Sequence, residues 1–396
     1  MPDFWTAVAA IGLLIWLYLA LFHGRFWRAD QRLPARTVER QDWPEVTVVV
    51  PARDEADVVG AAIGSLLDQS YRGPLGVVVV DDRSRDGTAD AARAAAGQSA
   101  RPDGLTLVAG KPLPDGWTGK LWAVAQGIDA IDSDTPFLLL TDADIVHAPD
   151  NVARLVDKAE RDRLDMVSLM VLLHCRTIVE KLFIPAFVYF FQQVYPFPES
   201  NRPGSRVAAA AGGCILARRD ALARAGGIGA IKGELIDDCA LARRIKRNGA
   251  TWIGLTDETR SIRPYRGLGD IWRMVVRTAY TQLNYSPFQL AGTIVGMTLA
   301  YLGPPVAVLA GILVGNVQAA ILAAIAWALM AMTFMPTLVL YRVPAALGLA
   351  LPAIAMVYEA MTLDSARRHW LGAGGAWKGR TYPAAGPPAS RDAGPE

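Results

Sequence analysis

Cysteine is scarce in this chain: Cys175, Cys214 and Cys239 are the only three in 396 residues, far apart and without a CxxC pair. That argues against a disulfide-framed fold and a cysteine zinc site, and it fits a reducing compartment. Histidine is nearly as thin, with four residues and no HExxH, so no histidine-based metal site is expected. Net charge is small as well. At +2 there is no global field to recruit nucleic acid, and none is expected as a partner. Two glycine signatures are also missing. No GxGxxG follows the first strand-like run, and "GWTGKLWA" (116–123) has a Gly-Lys pair without P-loop spacing or its Ser/Thr. A Rossmann dehydrogenase and a P-loop nucleotidase therefore both fit poorly.

What the chain has in quantity is apolar sequence, 52% of its residues, unevenly placed. Residues 4–22, "FWTAVAAIGLLIWLYLALF", carry no charge and are long enough to cross a bilayer. Basic residues follow this run ("HGRFWRADQRLPAR", 23–36) where a cleaved signal peptide would have them in front. The reading is an anchor over 1–24 with its N-terminus outside and residue 25 onward in the cytoplasm. From 288 to 363 three more apolar stretches contain one arginine, Arg342, and one glutamate, Glu359. They predict membrane-inserted helices, preceded by an interfacial helix over 266–287 and followed by a basic, then flexible, tail over 364–396. Three full crossings there would put Arg367, Arg368, Lys378 and Arg380 outside, against the positive-inside rule. Either one segment is re-entrant, or the first stretch folds into a hairpin at Pro304-Pro305.

Between these zones, residues 40–265 read as one α/β domain. "VTVVV" (46–50), "LGVVVV" (75–80), "LTLVA" (105–109), "FLLLT" (137–141) and "MVSLMVLL" (166–173) are the strands, alternating with helix-patterned segments. Near-continuous Val/Ile/Leu strands predict a Rossmann-like, mostly parallel sheet with helices on both faces. Ligands of such sheets sit at the carboxyl ends of the strands. There the chain places "PARDE" (51–55), "DDRSRDGT" (81–88) and "TDAD" (141–144). Each alone also reads as a turn or a helix cap. Three acidic strand ends in one crevice need a cation or hydrogen-bond donors to stabilise them. A nucleotide diphosphate held by a metal on Asp142 and Asp144, with Lys120 helping, meets that need, because Mg²⁺ is commonly held by one or two carboxylates plus phosphate oxygens.

Further on, Gly212 and Gly213 in "AAGGCILARRDALARAGGI" would permit close approach of a ligand, or belong to a small-residue strand. "GELIDDCALARRIKRNG" (233–249) starts an amphipathic helix with Asp237 and Asp238, either as dipole-favoured capping acids or as a general base facing the crevice. The aromatic-rich segment 174–197 reads equally as a core helix or as an interfacial helix that guides a lipid.

As an ordered set, "VTVVVPARDE", "VVVVDDRSRDGT", "LLLTDADI", the double glycine and "DDCALARRI" resemble the family 2 glycosyltransferases with a GT-A fold. With the N-terminal anchor, "KPLPDGWTGKLWA", the apolar C-terminal zone and "WKGRTY" (377–382), the chain is similar to the hopene-associated glycosyltransferases. The resemblance implies that Pro51, Ala52, Arg53, Glu55, Asp81 and Asp82 bind the nucleoside, with Asp82 accepting from a uracil-type base. It implies a DxD motif with Asp144 as the main ligand of Mg²⁺ or Mn²⁺ and Asp142 beside it, and an acceptor loop at Gly212, Gly213 and Cys214. Asp238 matches the catalytic base, with Asp237 standing where the family has glutamate. The family's QxxRW is reduced to "RMVVRTAY" (273–280), in which Arg277 can contact phosphate but Thr278 replaces tryptophan. The implied activity is transfer of a sugar from a nucleotide diphosphate sugar, UDP-linked by preference, to a hopanoid-type lipid at the bacterial inner membrane. A processive polysaccharide synthase loses support with the missing tryptophan, and a non-catalytic scaffold with the intact carboxylates.

Overall fold

The computed structural model describes residues 2–34, 42–132, 134–372, 376–377 and 380–381. The flexible tail expected beyond "WKGRTY", together with Lys378, lies outside the described residues. The chain divides into two compact units. One comprises residues 29–175 and 194–264, the other 1–28, 176–193 and 265–396. Most of the segment 174–197 belongs with the apolar helices.

The first unit is built on strands β1 (Val46–Ala52), β2 (Leu75–Asp81), β3 (Leu105–Ala109), β4 (Phe137–Leu140), β5 (Ile145–Val146), β6 (Met166–Leu172), β7 (Ile215–Arg218) and β8 (Thr251–Ser261). They form one sheet in the order β3-β2-β1-β4-β7-β6-β8-β5. The expectation of a mostly parallel sheet needs one correction. β7 runs antiparallel to both β4 and β6, and β5 antiparallel to β8, so the sheet is mixed.

Helices α2 (Ala56–Leu67), α3 (Thr88–Gly97), α4 (Gly119–Asp129) and α5 (Asn151–Arg161) follow the strands of the first half. Side chains of β1 alternate between two cores. Val46, Val48 and Val50 pack with Ile63, Leu66, Leu155 and Val156 on the α2/α5 face. Val49 packs on the opposite face with Leu121 and Val124 of α4. Both faces are covered, which is why every position of β1 is apolar or small enough to bury. Strand order reverses beside β1, so the loops after β1 and β4 diverge and open a crevice.

The second unit contains α1 (Pro2–Leu21) and α6 (Ile178–Val194). The first unit continues with α7 (Phe197–Asn201), α8 (Arg219–Arg224) and α9 (Asp237–Lys246). The second then adds α10 (Leu268–Val276), α11 (Ala279–Gln282), α12 (Pro287–Met297), α13 (Gly303–Leu313), α14 (Val317–Leu340) and α15 (Leu351–Trp370). Among the described residues, four segments are long and apolar enough to cross a membrane: 4–21, 287–313, 317–340 and 345–370. The hairpin considered at Pro304-Pro305 does not form. A π-helical turn, Thr298–Leu302, joins α12 to α13, and both prolines fall in the first turn of α13. Their missing N–H groups and ring bulk are absorbed where the ladder is already widened.

Ala9, Ala307, Ala319 and Ala323 pack together, so the start of α14 lies beside the end of α13 and the two run antiparallel. After α14 the chain turns back along it. Trp327 Nε1 donates to the Leu349 carbonyl at 3.2 Å, and a Cβ on Gly348 would lie 3.1 Å from the Ala331 oxygen. α15 then ends against α10 and α11: Ser365 Oγ donates to the Val276 carbonyl at 2.5 Å, and Trp272 Nε1 donates to Asp364 at 2.9 Å. Residues 341–370 thus leave and regain the same end of the bundle, where α14 finishes and α12 begins.

Candidate active site

Two loops of the first unit are laced together at the carboxyl edge of the sheet. Arg53 follows β1 and donates to the Asp82 carbonyl at 2.5 Å, with the Asp82 carboxylate 3.7 Å away. Asp54 sits at φ 50°, in the left-handed region, and its Oδ1 accepts from Arg85 N while its own N–H donates to Ser84 Oγ. Asp81 caps Ser84 N, and Glu55 N donates to Thr88 Oγ1. Pro51, Ala52, Glu55 and Asp82 are buried, with Asp82 wholly shielded beside Arg53.

Across the crevice, Lys120 at the start of α4 reaches two carboxylates, Asp142 at 2.9 Å and Asp237 at 3.4 Å. Burial alone would lower its pKa, but Asp142, Asp237 and Asp238 outweigh it and hold the ammonium well above the ordinary lysine range. Enclosure pushes the Asp142 carboxyl up, opposed by Lys120 and reinforced by Asp144. Asp238 opens α9. Its Oδ2 accepts from Gly212 N at 2.9 Å and its Oδ1 from its neighbour Cys239 N at 2.7 Å. Burial and Asp237 push its carboxyl up to about 6, although Lys120 and these two N–H groups work the other way. Lys120, Asp142, Gly212, Asp237 and Asp238 line one small cleft together with Pro51, Thr141 and Ile215.

A Cβ at Gly212 would lie 2.9 Å from Lys120 Nζ, so a side chain there would push the ammonium aside. Gly213 is packed on Val171, and Cys214 is fully buried in the core, where burial pushes its thiol up to about 12. Of the three expected acceptor-side residues, only Gly212 borders the cleft. Arg277 belongs to the other unit, exposed just after α10.

Four residues escaped the sequence reading. Ile145 pairs with Ser261 across β5 and β8, which brings Ser261 Oγ to 2.6 Å from Asp144 Oδ2 and Arg263 Nε to 3.3 Å from the same oxygen. Arg263 also pairs with Glu55. Behind the motif, Asn151 donates to His147 Nδ1 at 2.9 Å, so Nε2 carries the proton toward Thr141 Oγ1, also at 2.9 Å. Thr141 donates in turn to the Gly213 carbonyl at 2.7 Å. This chain of bonds ties α5, the residue before Asp142 and the glycine pair together. Burial lowers the His147 pKa to about 3, which keeps the ring neutral.

The hard oxygens of Asp142 and Asp144 suit a Mg²⁺ or Mn²⁺ ion that also takes phosphate ligands. Among the described residues no group of three or more His, Cys, Asp or Glu could hold a metal alone. The fit therefore requires a substrate that brings oxygens of its own.

The model of "Glycosyl transferase family group 2" matches residues 137–352, and that of "Glycosyl transferase family 2" matches 47–226. An N-acetylglucosaminyltransferase of Rhizobium leguminosarum bv. viciae is 32% identical over 159 residues, 39% of this chain. The match spans only 35% of that relative's length. The mannosyltransferase PcManGT of Pyrobaculum calidifontis, solved with GDP-Man and Mn²⁺, superposes with a TM-score of 0.54 at 22% identity, over 92% of this chain and 98% of its own. Glucosyl-3-phosphoglycerate synthase of Mycobacterium tuberculosis, solved with Mn²⁺, UDP and its product, gives 0.39 at 19% identity, over 62% and 86%.

Proposed function

Because the chain belongs to glycosyl transferase family group 2, we propose that it moves a sugar from a nucleotide diphosphate sugar to a hydroxyl of a membrane lipid, with inversion. The observation that carries this reading is the presence of Asp238, a carboxylate poised near neutral pH, and Lys120 in the lining of one cleft. Asp238 takes the proton of the acceptor hydroxyl as that oxygen attacks the anomeric carbon from the face away from the diphosphate. The N–H groups of Gly212 and Cys239 fix the carboxylate for that transfer. Lys120 offers its ammonium to the departing diphosphate. Asp144, with Asp142 beside it, would hold Mg²⁺ or Mn²⁺, which supplies charge stabilisation on the leaving group. Arg53 and the loop 81–84 receive the nucleoside, a UDP-sugar by preference.

Apolar helices support a lipid acceptor and a multi-pass place in the bacterial inner membrane; the hopanoid identity rests on the sequence resemblance. The return of 341–370 to its own end of the bundle supports three crossings plus one re-entrant segment. That arrangement keeps the catalytic unit and Arg367 and Arg368 on the cytoplasmic side, as the positive-inside rule requires.

The test is incubation of membranes with radiolabelled UDP- and GDP-sugars and mass identification of the labelled lipid. Asp238→Asn should abolish transfer and leave donor binding largely intact. Normal turnover in that variant removes the base assignment.

A further inference from the structure

Asp144 is the carboxylate expected to hold a divalent cation, yet its Oδ2 is engaged twice by the protein, by Ser261 Oγ at 2.6 Å and by Arg263 Nε at 3.3 Å. The far end of the same guanidinium pairs with Glu55 Oε2. Glu55 follows β1, Asp144 follows β4 and Arg263 follows β8, so one side chain ties three strand ends. The partners differ in exposure. The Arg263 side chain is 39% exposed, whereas those of Glu55 and Asp144 are 9% and 14% exposed. The carboxylates are fixed, and the cation between them has room to move.

A divalent ion bound to Asp144 Oδ2 would sit about 2.1 Å from that oxygen, against a guanidinium already in contact with it. Two cations on one oxygen at that range repel, so each weakens the other's hold on Asp144. The wider charge pattern says which partner makes the exchange favourable. Lys120 and Arg263 stand against Glu55, Asp142, Asp144, Asp237 and Asp238. A diphosphate entering this acidic surround needs new positive charge near it.

We propose that Arg263 is an exchangeable counter-ion. It competes with the divalent cation for Asp144 and, once cation and donor enter together, remains hinged on Glu55 while its guanidinium turns to the diphosphate. The second half of this exchange rests on the nucleotide-sugar reading of the site; the first half does not. The consequence is coupling. The cation alone binds against Arg263, whereas the cation with a nucleoside diphosphate binds with it.

The experiment titrates Mn²⁺ into the full-length protein in nanodiscs, following free Mn²⁺ by EPR, alone and with UDP or GDP. Arg263→Gln should bind Mn²⁺ alone roughly five- to tenfold more tightly than the wild type. Its Mn²⁺-dependent gain in UDP or GDP affinity should shrink. Arg263→Lys keeps a charge for Glu55 but cannot bridge two carboxylates in a fork, and should fall between the two. If Arg263→Gln fails to fold once its ion pair with Glu55 is lost, Arg263→Lys decides by the same sign. Mn²⁺ affinities at or below the wild-type value overturn the proposal. If the Mn²⁺ affinities shift as stated but neither UDP nor GDP binds any form, the competition at Asp144 stands and the donor reading falls.

Discussion

Lys120 is the side chain on which the acidic cleft converges, within 3.4 Å of both Asp142 and Asp237. Replacing it with methionine keeps the stem and removes the charge. Transfer should fall by roughly 10²-fold, the scale seen when one preorganised donor to a developing anion is lost, as read by kcat/KM in the lipid-labelling assay. Asp238 makes a second prediction. A base must be ionised to work, and its carboxyl is pushed up to about 6. Transfer should therefore be flat above neutrality and fall about tenfold per pH unit below about 6; a rate unchanged at pH 5 would exclude Asp238 as the base. Asp142, Asp144, Asp237, Asp238 and Lys120 were legible in the sequence because strand-end and helix-start positions are visible as breaks in an apolar pattern. Arg263 and Ser261 were not, because they reach Asp144 only through a strand pairing between residues more than a hundred positions apart.

Helix α4 shows how an element holds its cargo. Gly127 costs the helix about 1 kcal/mol relative to alanine by propensity alone. A Cβ there would nevertheless lie 2.5 Å from Val49 Cγ1 and 3.0 Å from Val80 Cγ2. The clash wins, and Gly127→Ala should destabilise by roughly 1–3 kcal/mol, seen as a lower thermal midpoint, with reduced transfer because Lys120 rides on the same helix. Helix α5 carries a pH-dependent counterpart through Asn151 and His147. The folded-state pKa of His147, about 3, lies below its ordinary 6.5. The unfolded chain therefore binds the extra proton between those values, and stability falls as pH drops through 6.5. His147→Gln should flatten the decline in thermal midpoint between pH 6.5 and 4.5. Strands β1 to β4 and β6 were readable from their Val/Leu runs. β5 has two residues and no period to read, and β8 ("TWIGLTDETRS") mixes charges into its second half, so both emerge only from their partners.

At the scale of the molecule, the proposed topology can be tested by thiol labelling in a Cys175→Ser background, since Cys214 and Cys239 are buried. Gly315→Cys, in the turn between α13 and α14, should react with an impermeant maleimide on intact spheroplasts. Gly372→Cys, just past α15, should react only after permeabilisation. Labelling of both from outside would restore four full crossings. Run length alone could not suggest the proposed re-entrant path, because 345–370 has the hydropathy of a span. What distinguishes it is where Leu349 and Ser365 find their partners.

The late arrival of β8 has a consequence during synthesis. Ser261 emerges from the ribosome 117 residues after Asp144, a delay on the order of ten seconds at typical elongation rates. Through that interval β5 has no ladder and the outer edge of β6 lies open. The nascent first unit must wait with Ser261 and Arg263 still absent from Asp144. Slowing translation before residue 251 should lengthen the period in which this chain depends on chaperones, whereas slowing it after 264 should not.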